Sequence, residues 1–186
     1  MRAYRAKDMA DSKADLLAGA GGLVTDEAQS DHQGRKALLL VRNNEDCDEF
    51  IALAKTMGIN IVDRVDQRGR SDAKWFLGQG KLQDVNEELR STSHGHPWND
   101  VDLLLLHTNA TPRQLVGVND AVGIEVWDRV RLLLALFTAH ASSVEARTQV
   151  RIARLQSDRT VLREVVKQQT TGERAGYGGA GQTAAG

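Results

Sequence analysis

A glycine-rich turn followed by a lysine, Gly78-Gln79-Gly80-Lys81, is the first feature of the sequence that could do chemistry. Free N–H groups at the start of a helix can bind a phosphate. A complete phosphate-binding loop has the pattern G-x-x-x-x-G-K-[ST], but here Leu82 follows the lysine. Gly78, Gly80 and Lys81 are therefore candidate cofactor-binding residues of a nucleotide-binding or weak NTPase domain. A tight strand-to-helix turn without a ligand is the alternative.

A series of basic residues in the C-terminal third is the second candidate. Residues 127–186 contain nine basic and five acidic residues, whereas residues 36–126 contain ten and fourteen. Residues three and four apart share a helix face, so such a series can follow a nucleic-acid backbone. A solvated face with intrahelical pairs, such as Glu164 beside Lys167, is the alternative. The candidate RNA-binding residues are Arg147, Arg151, Arg154, Arg159, Arg163, Lys167 and Arg174.

The remaining reactive side chains form no recognisable catalytic or metal-binding pattern. His94-Gly95-His96 has only Asp100 nearby as a further ligand, which favours a solvated loop. Cys47 is the single cysteine, so a reducing cytoplasm is the expected setting. No apolar run approaches the ~20 residues of a membrane-spanning helix. We predict no catalytic residues, no metal and no membrane association, and leave open whether the chain is an enzyme.

Residues 36–127 alternate between short apolar runs and amphipathic segments. Short apolar segments predict strands over 37–41, 101–106 and 124–127, and alternation of apolar with polar residues predicts a strand over 59–65. The segments between these strands predict three helices. Thr111 and Pro112 are typical of a helix start. This alternation predicts an α/β fold, a small parallel β-sheet flanked by helices.

The chain changes character from Asp128 onward, because neither glycine nor proline occurs until Gly172. Apolar residues recur at spacings of three and four, which predicts one helix of about 40 residues or two nearly continuous ones, half of a helical hairpin. We expect the part beyond Val144 to leave the domain, and to pair with a second copy or to fray after Leu155. The predicted stripe comprises Val130, Leu134, Phe137, Ala141, Val144, Thr148, Ile152, Leu155, Leu162 and Val166.

The sequence therefore divides into four predicted regions. Residues 1–35 form an extension, in which Lys7–Leu17 could be a short helix, and residues 36–127 form the α/β domain. Residues 128–171 form the long helix, and residues 172–186 form a glycine-rich tail. We expect the extension and the tail to be mobile, because they have little apolar surface to bury.

Several segments, in consistent order over residues 36–181, resemble the N-terminal region of the HflX-type translational GTPases. Residues 76–82 resemble the family's glycine-lysine motif, and Thr111-Pro112-Arg113-Gln114 resembles its S-P-x-Q segment. Val126-Trp127-Asp128-Arg129 resembles the V-[IL]-D-R segment, and residues 132–141 match the I-L-D-I-F-x-x-R-A stretch in position. Residues 145–155 are similar to the E-A-K-L-Q-V-E-L-A-x-L stretch, and residues 172–181 to the G-E-R-P-G-F-x-G-x-G loop of archaeal-type members.

This resemblance implies a two-part region, a parallel α/β subdomain and a helical hairpin. It implies binding to the large ribosomal subunit, with the glycine-rich hairpin loop directed at ribosomal RNA. It also implies a GTPase domain that binds GTP and Mg²⁺ and drives subunit dissociation. We find no intact GTPase motif in the 186 residues, so we expect no cofactor in this chain itself.

Overall fold

The computed structural model describes residues 32–177, with side chains described as far as residue 171. Its centre is a four-stranded sheet in which every pair of neighbouring strands is parallel, in the order β2-β1-β3-β4. The strands are β1 (Lys36–Arg42), β2 (Asn60–Gln67), β3 (Val101–Leu106) and β4 (Glu125–Trp127). The predicted α/β class is confirmed, and so are the four strands within two residues at each end.

Helices cover both faces of the sheet. They are α1 (Asp48–Thr56), α2 (Gln79–Ser91), α3 (Pro112–Val122), α4 (Arg129–His140) and α5 (Val144–Tyr177). One buried cluster joins Phe50 of α1 and Leu132 of α4 to alternate residues of the strands. The opposite cluster joins residues of α2, α3 and α5 to the other strand faces. The central strands β1 and β3 are buried on both faces over residues 37–41 and 103–106, which explains the apolar sequence of these segments.

Local signals in the sequence set the ends of these elements. Thr111 accepts a hydrogen bond from the Gln114 backbone while the Gln114 side chain accepts one from the Thr111 backbone, so α3 begins with a capping box. Gly123 ends α3 with φ 79°, and Gly58 follows α1 with φ 76°. Both glycines adopt the left-handed conformation that side chains disfavour.

The segment after Asp128 forms two helices, the second of the two predicted forms. Helix α5 runs to Tyr177, so it continues through Gly172 beyond the predicted end at residue 171. Our expectation that the chain beyond Val144 leaves the domain is wrong. Val161 and Val165 are buried in the same cluster as Leu115 of α3, so α5 folds back over the domain.

The predictions for residues 1–31 and 178–186, including the helix at Lys7–Leu17, lie outside the described residues. Within residues 32–177, no helix combines the length and the apolar character that a membrane span requires.

Candidate functional site

The glycine-lysine turn before α2 is tied to the end of β2. The Gly78 N–H donates to Gln67 Oε1 at 2.6 Å, and the same oxygen accepts from Arg42 Nη1 at 3.1 Å. A Cβ atom at Gly78 would lie 3.1 Å from Gln67 Nε2, whereas Gly80 has open space around it. The N–H of Gly78 is therefore used within the protein. Nucleotide binding by Gly78, Gly80 and Lys81 stays a prediction.

The loop that precedes this turn is held against α3. Gln114 Nε2 donates to the Asp72 carbonyl at 2.6 Å and to Ser71 Oγ at 3.1 Å. The Asp72 carboxylate accepts from the backbone N–H groups of Trp75 and Lys74, which lowers the pKa of Asp72. These polar groups fix a loop at the carboxyl edge of the sheet, where ligands of parallel α/β proteins bind.

Other polar side chains at this edge also contact groups within the protein. Asp128 accepts from the N–H groups of Ala110 at 3.0 Å and Arg131 at 2.9 Å, while its burial raises the pKa of Asp128. His107 Nδ1 lies 3.2 Å from Glu45 Oε2, without the alignment of a hydrogen bond. Across the described part of the chain, no group of three or more His, Cys, Asp or Glu side chains could hold a metal ion.

The predicted basic series lies on α5, with most members exposed. Arg159, Arg163 and Lys167 are exposed and follow one another at every fourth position. Arg147 and Arg151 are exposed nearer the start of the helix, and Arg147 Nη1 donates to the Ser142 carbonyl at 3.1 Å. Positions four apart lie almost above one another on a helix, so the first three form one row. We call Arg159, Arg163 and Lys167 the basic row.

Two members of the predicted series do not share this placement. Arg154 is half-buried, and desolvation lowers the pKa of its guanidinium although Asp158 nearby opposes the shift. Arg154 is therefore less exposed than the basic row, because it lies on the side of α5 that carries the buried Asp158. The side chain of Arg174 lies outside the described residues.

A buried ion pair joins α4 to α5, and no sequence pattern predicted it. Arg131 Nη2 donates to Asp158 Oδ1 at 2.7 Å, and the two side chains are 1% and 4% exposed. Desolvation raises the pKa of Asp158 against the opposing effect of Arg131 and Arg154. The available signal was Asp158 itself, an acidic residue within an otherwise basic stretch of helix.

An exposed apolar stripe runs beside the basic row. It consists of Ile152, Leu155, Leu162 and Val166, whose exposed fractions lie between 37% and 50%. We call these four residues the outer stripe. Because they recur at three, seven and four positions, they share one face of α5.

The same fold, a parallel α/β domain followed by two helices, occurs in a solved GTP-binding protein. The chain belongs to the family described as "GTP-binding GTPase N-terminal", which matches residues 44–138. Its curated relatives carry the name GTPase HflX, which agrees with the resemblance of the motifs.

Two relatives and one solved structure show the extent of the match. GTPase HflX of Hyperthermus butylicus is 31% identical over 133 residues, which are 72% of this chain and 34% of the relative. GTPase HflX of Thermococcus kodakarensis is 28% identical over 134 residues, 72% of this chain and 29% of the relative. The chain thus spans about a third of their length. A GTP-binding protein of Sulfolobus solfataricus, solved with GDP, shares the fold with a TM-score of 0.57 at 23% identity, over 75% of this chain and 42% of that one.

Proposed function

We propose that this chain is the ribosome-binding N-terminal region of an HflX-type translational GTPase, and that it binds RNA of the large ribosomal subunit through α5. The observation that carries the proposal is the basic row, Arg159, Arg163 and Lys167, exposed along one side of a long helix. GTP hydrolysis belongs, in this proposal, to a GTPase domain like that of the full-length relatives.

The geometry of α5 supports binding to an extended polyanion. Arg159 and Lys167 are two full repeats of four residues apart, which is about 12 Å along the helix axis. Arg147 and Arg151 extend the positive charge toward the start of the helix. Contacts between such a row and phosphates release counterions, so the affinity falls steeply as salt rises.

An acidic surface at the start of α1 argues against RNA binding at that part of the α/β domain. Glu45, Asp46, Asp48 and Glu49 follow one another closely at the start of α1, and all four are exposed. This acidic surface repels a phosphate backbone at that part of the α/β domain. The whole chain has a formal net charge of −1, so general attraction to RNA is weak and binding depends on the local row.

Charge reversal of the basic row tests the proposal. We expect the variant Arg159→Glu, Arg163→Glu and Lys167→Glu to bind purified large ribosomal subunits at least tenfold more weakly at low salt. We also expect its plot of log affinity against log salt to be flatter by about two to three units, because three phosphate contacts are lost. Sedimentation with labelled protein measures both quantities.

A matched control separates the row from overall charge. The variant Lys55→Glu, Arg68→Glu and Arg113→Glu changes the net charge equally at three exposed positions outside α5. It should retain nearly all of the affinity of the parent protein. Equal losses in both variants, or parental binding by the basic-row variant, would show that α5 is not the RNA-binding surface.

A further inference from the structure

Helix α5 carries two parallel series of side chains, and the domain buries the less apolar one. The inner series, Arg154, Asp158, Val161 and Val165, faces the domain. Leu155, Arg159, Leu162 and Val166 each follow an inner residue by one position and remain exposed. Leucine offers more apolar area than the residues that are buried instead, so hydrophobic burial alone favours the outer series against the domain.

A rotation of α5 about its own axis would exchange the two series. One residue corresponds to about 100° around a helix, so turning α5 by that angle brings Leu162 and Val166 to the places of Val161 and Val165. The spacing of the two series is identical, and both supply branched apolar side chains at the contact with α3. Packing shape therefore distinguishes poorly between the two rotations.

The charge at the position of Asp158 distinguishes the two rotations. In the observed rotation Asp158 Oδ1 lies 2.7 Å from Arg131 Nη2, and both side chains are almost fully buried. After the rotation Arg159 would occupy that place, and two guanidinium groups would meet away from water. A buried opposite-charge pair is tolerated, whereas buried like charges are strongly unfavourable.

We propose that Arg131 sets the rotation of α5, because it pairs with Asp158 and would repel Arg159. Arg131 thereby determines which face of the helix is exposed. Asp128 and Glu125 also lie near enough to influence Arg131 electrostatically, and Arg154 accompanies Asp158 from α5 itself. Arg131 is thus a positioning residue for the exposed face, whatever partner that face binds. This inference does not depend on RNA binding.

Thiol labelling at adjacent positions tests the rotation in the full chain. In a Cys47→Ala background, Val161→Cys and Leu162→Cys place a single thiol on the inner or the outer series. With Arg131 present, we expect a maleimide to label position 162 at least about tenfold faster than position 161, because burial protects the thiol until the helix opens. The variant Arg131→Glu should reverse that order, since the introduced carboxylate attracts Arg159 and repels Asp158.

Two further variants complete the test. Arg131→Glu with Asp158→Arg and Arg159→Asp should restore the parental order, because the charges again favour the observed rotation. Arg129→Glu changes an exposed pair, Arg129 Nη2 to Glu49 Oε2 at 2.7 Å, and should leave the order unchanged.

Each remaining outcome overturns the proposal. An unchanged order in the Arg131→Glu protein would mean that packing sets the rotation. Fast labelling at both positions would mean that Arg131 holds the helix down without choosing its face. Loss of cooperative unfolding, measured by circular dichroism, would mean that the rotated helix cannot supply the partner that the introduced carboxylate needs.

Discussion

Charged side chains with little exposure connect the strands of the sheet. Arg35 donates to Glu125 at 2.7 Å and to Asp102 at 2.9 Å, which links the start of β1 to β3 and β4. Glu125 also accepts from Trp127 Nε1 at 2.5 Å. Buried polar groups are costly unless they are paired. The partners of Glu125 therefore explain how a buried carboxylate is accommodated in β4.

The titration of Glu125 leads to a prediction about pH. Burial raises the pKa of Glu125 above its ordinary value of 4.5, although Arg35 and Trp127 oppose the shift. The unfolded chain therefore releases this proton at a lower pH than the folded protein. Stability from this group is fully present below pH 4.5 and is lost as pH rises toward the folded pKa, by at most ~1.4 kcal/mol per pH unit.

Glu125→Gln removes this contribution. As the pH rises above about 4.5, the variant's free energy of unfolding should therefore increase relative to that of the parent. Urea unfolding followed by tryptophan fluorescence measures the difference. A difference that stays constant, or that moves toward the parent as pH rises, would contradict the raised pKa.

The buried thiol of Cys47 should be poorly reactive in the folded protein. Its side chain is 2% exposed, and desolvation raises the pKa of the thiol. Since the thiolate is the reactive form, we expect Cys47 to react with an aromatic disulfide reagent on the order of a hundredfold more slowly in the folded protein than in urea. A thiol introduced at the exposed Ser91, in a Cys47→Ala background, should show no such protection. Comparable rates for Cys47 in both states would show that the site is open.

The loop before α2 lies in close contact with α3. A Cβ atom at Gly117 of α3 would lie 2.2 Å from the carbonyl oxygen of Lys74. The absence of a side chain at Gly117 therefore allows the loop before α2 to lie directly on α3. The same loop is held by Gln114 one turn earlier in the helix. Glycine in α3 thus serves packing, although it weakens the helix itself.

Alanine substitution at two helical glycines tests this contact. Gly117→Ala should destabilise the protein by about 1–3 kcal/mol, because the backbone of Lys74 must move. Gly80→Ala, where nothing lies within 4 Å of the added methyl group, should be neutral or stabilise by about 0.4–1 kcal/mol. Chemical unfolding compares the two variants. Equal effects would show that the contact with Lys74 is not constraining.

Helices α4 and α5 carry most of the large exposed apolar side chains that the structure describes. Among the described side chains, seven of the eight large exposed apolar residues lie on α4 and α5, and the eighth is Ile51. Such surface tends to associate. The basic row lies beside the outer stripe, so two copies that approach there repel each other electrostatically.

We therefore propose a weak homodimer that forms through α5 and strengthens as salt screens this repulsion. Sedimentation velocity at low and high salt measures the effect. Leu155→Gln with Leu162→Gln should weaken the association at least tenfold relative to the parent, whereas Ile51→Gln should not. Association that weakens with salt, or that survives the double change, would exclude pairing through the outer stripe.

The sequence alone determined the α/β layout of this protein. Residues 37–41 and 103–106 are continuous apolar runs, as expected for strands that are buried on both faces. Thr111-Pro112 and Gly123 marked the two ends of α3, because capping is a local interaction between neighbours in the chain. The motifs over residues 76–82 and 111–129 carried the family resemblance, and each motif consists of residues that are neighbours in the chain.

The face of α5 that is buried against the domain depends on tertiary contacts. Periodicity favoured the series containing Leu155 and Leu162, but the series one residue earlier is buried. The deciding contact joins Asp158 to Arg131, 27 positions away, and a pattern within one helix carries no information about a charge on another. The same contact turns Arg154 inward and leaves Arg159 exposed. Hydrophobic spacing identifies the faces that a helix can bury, and long-range electrostatics in the folded chain selects the one that it does bury.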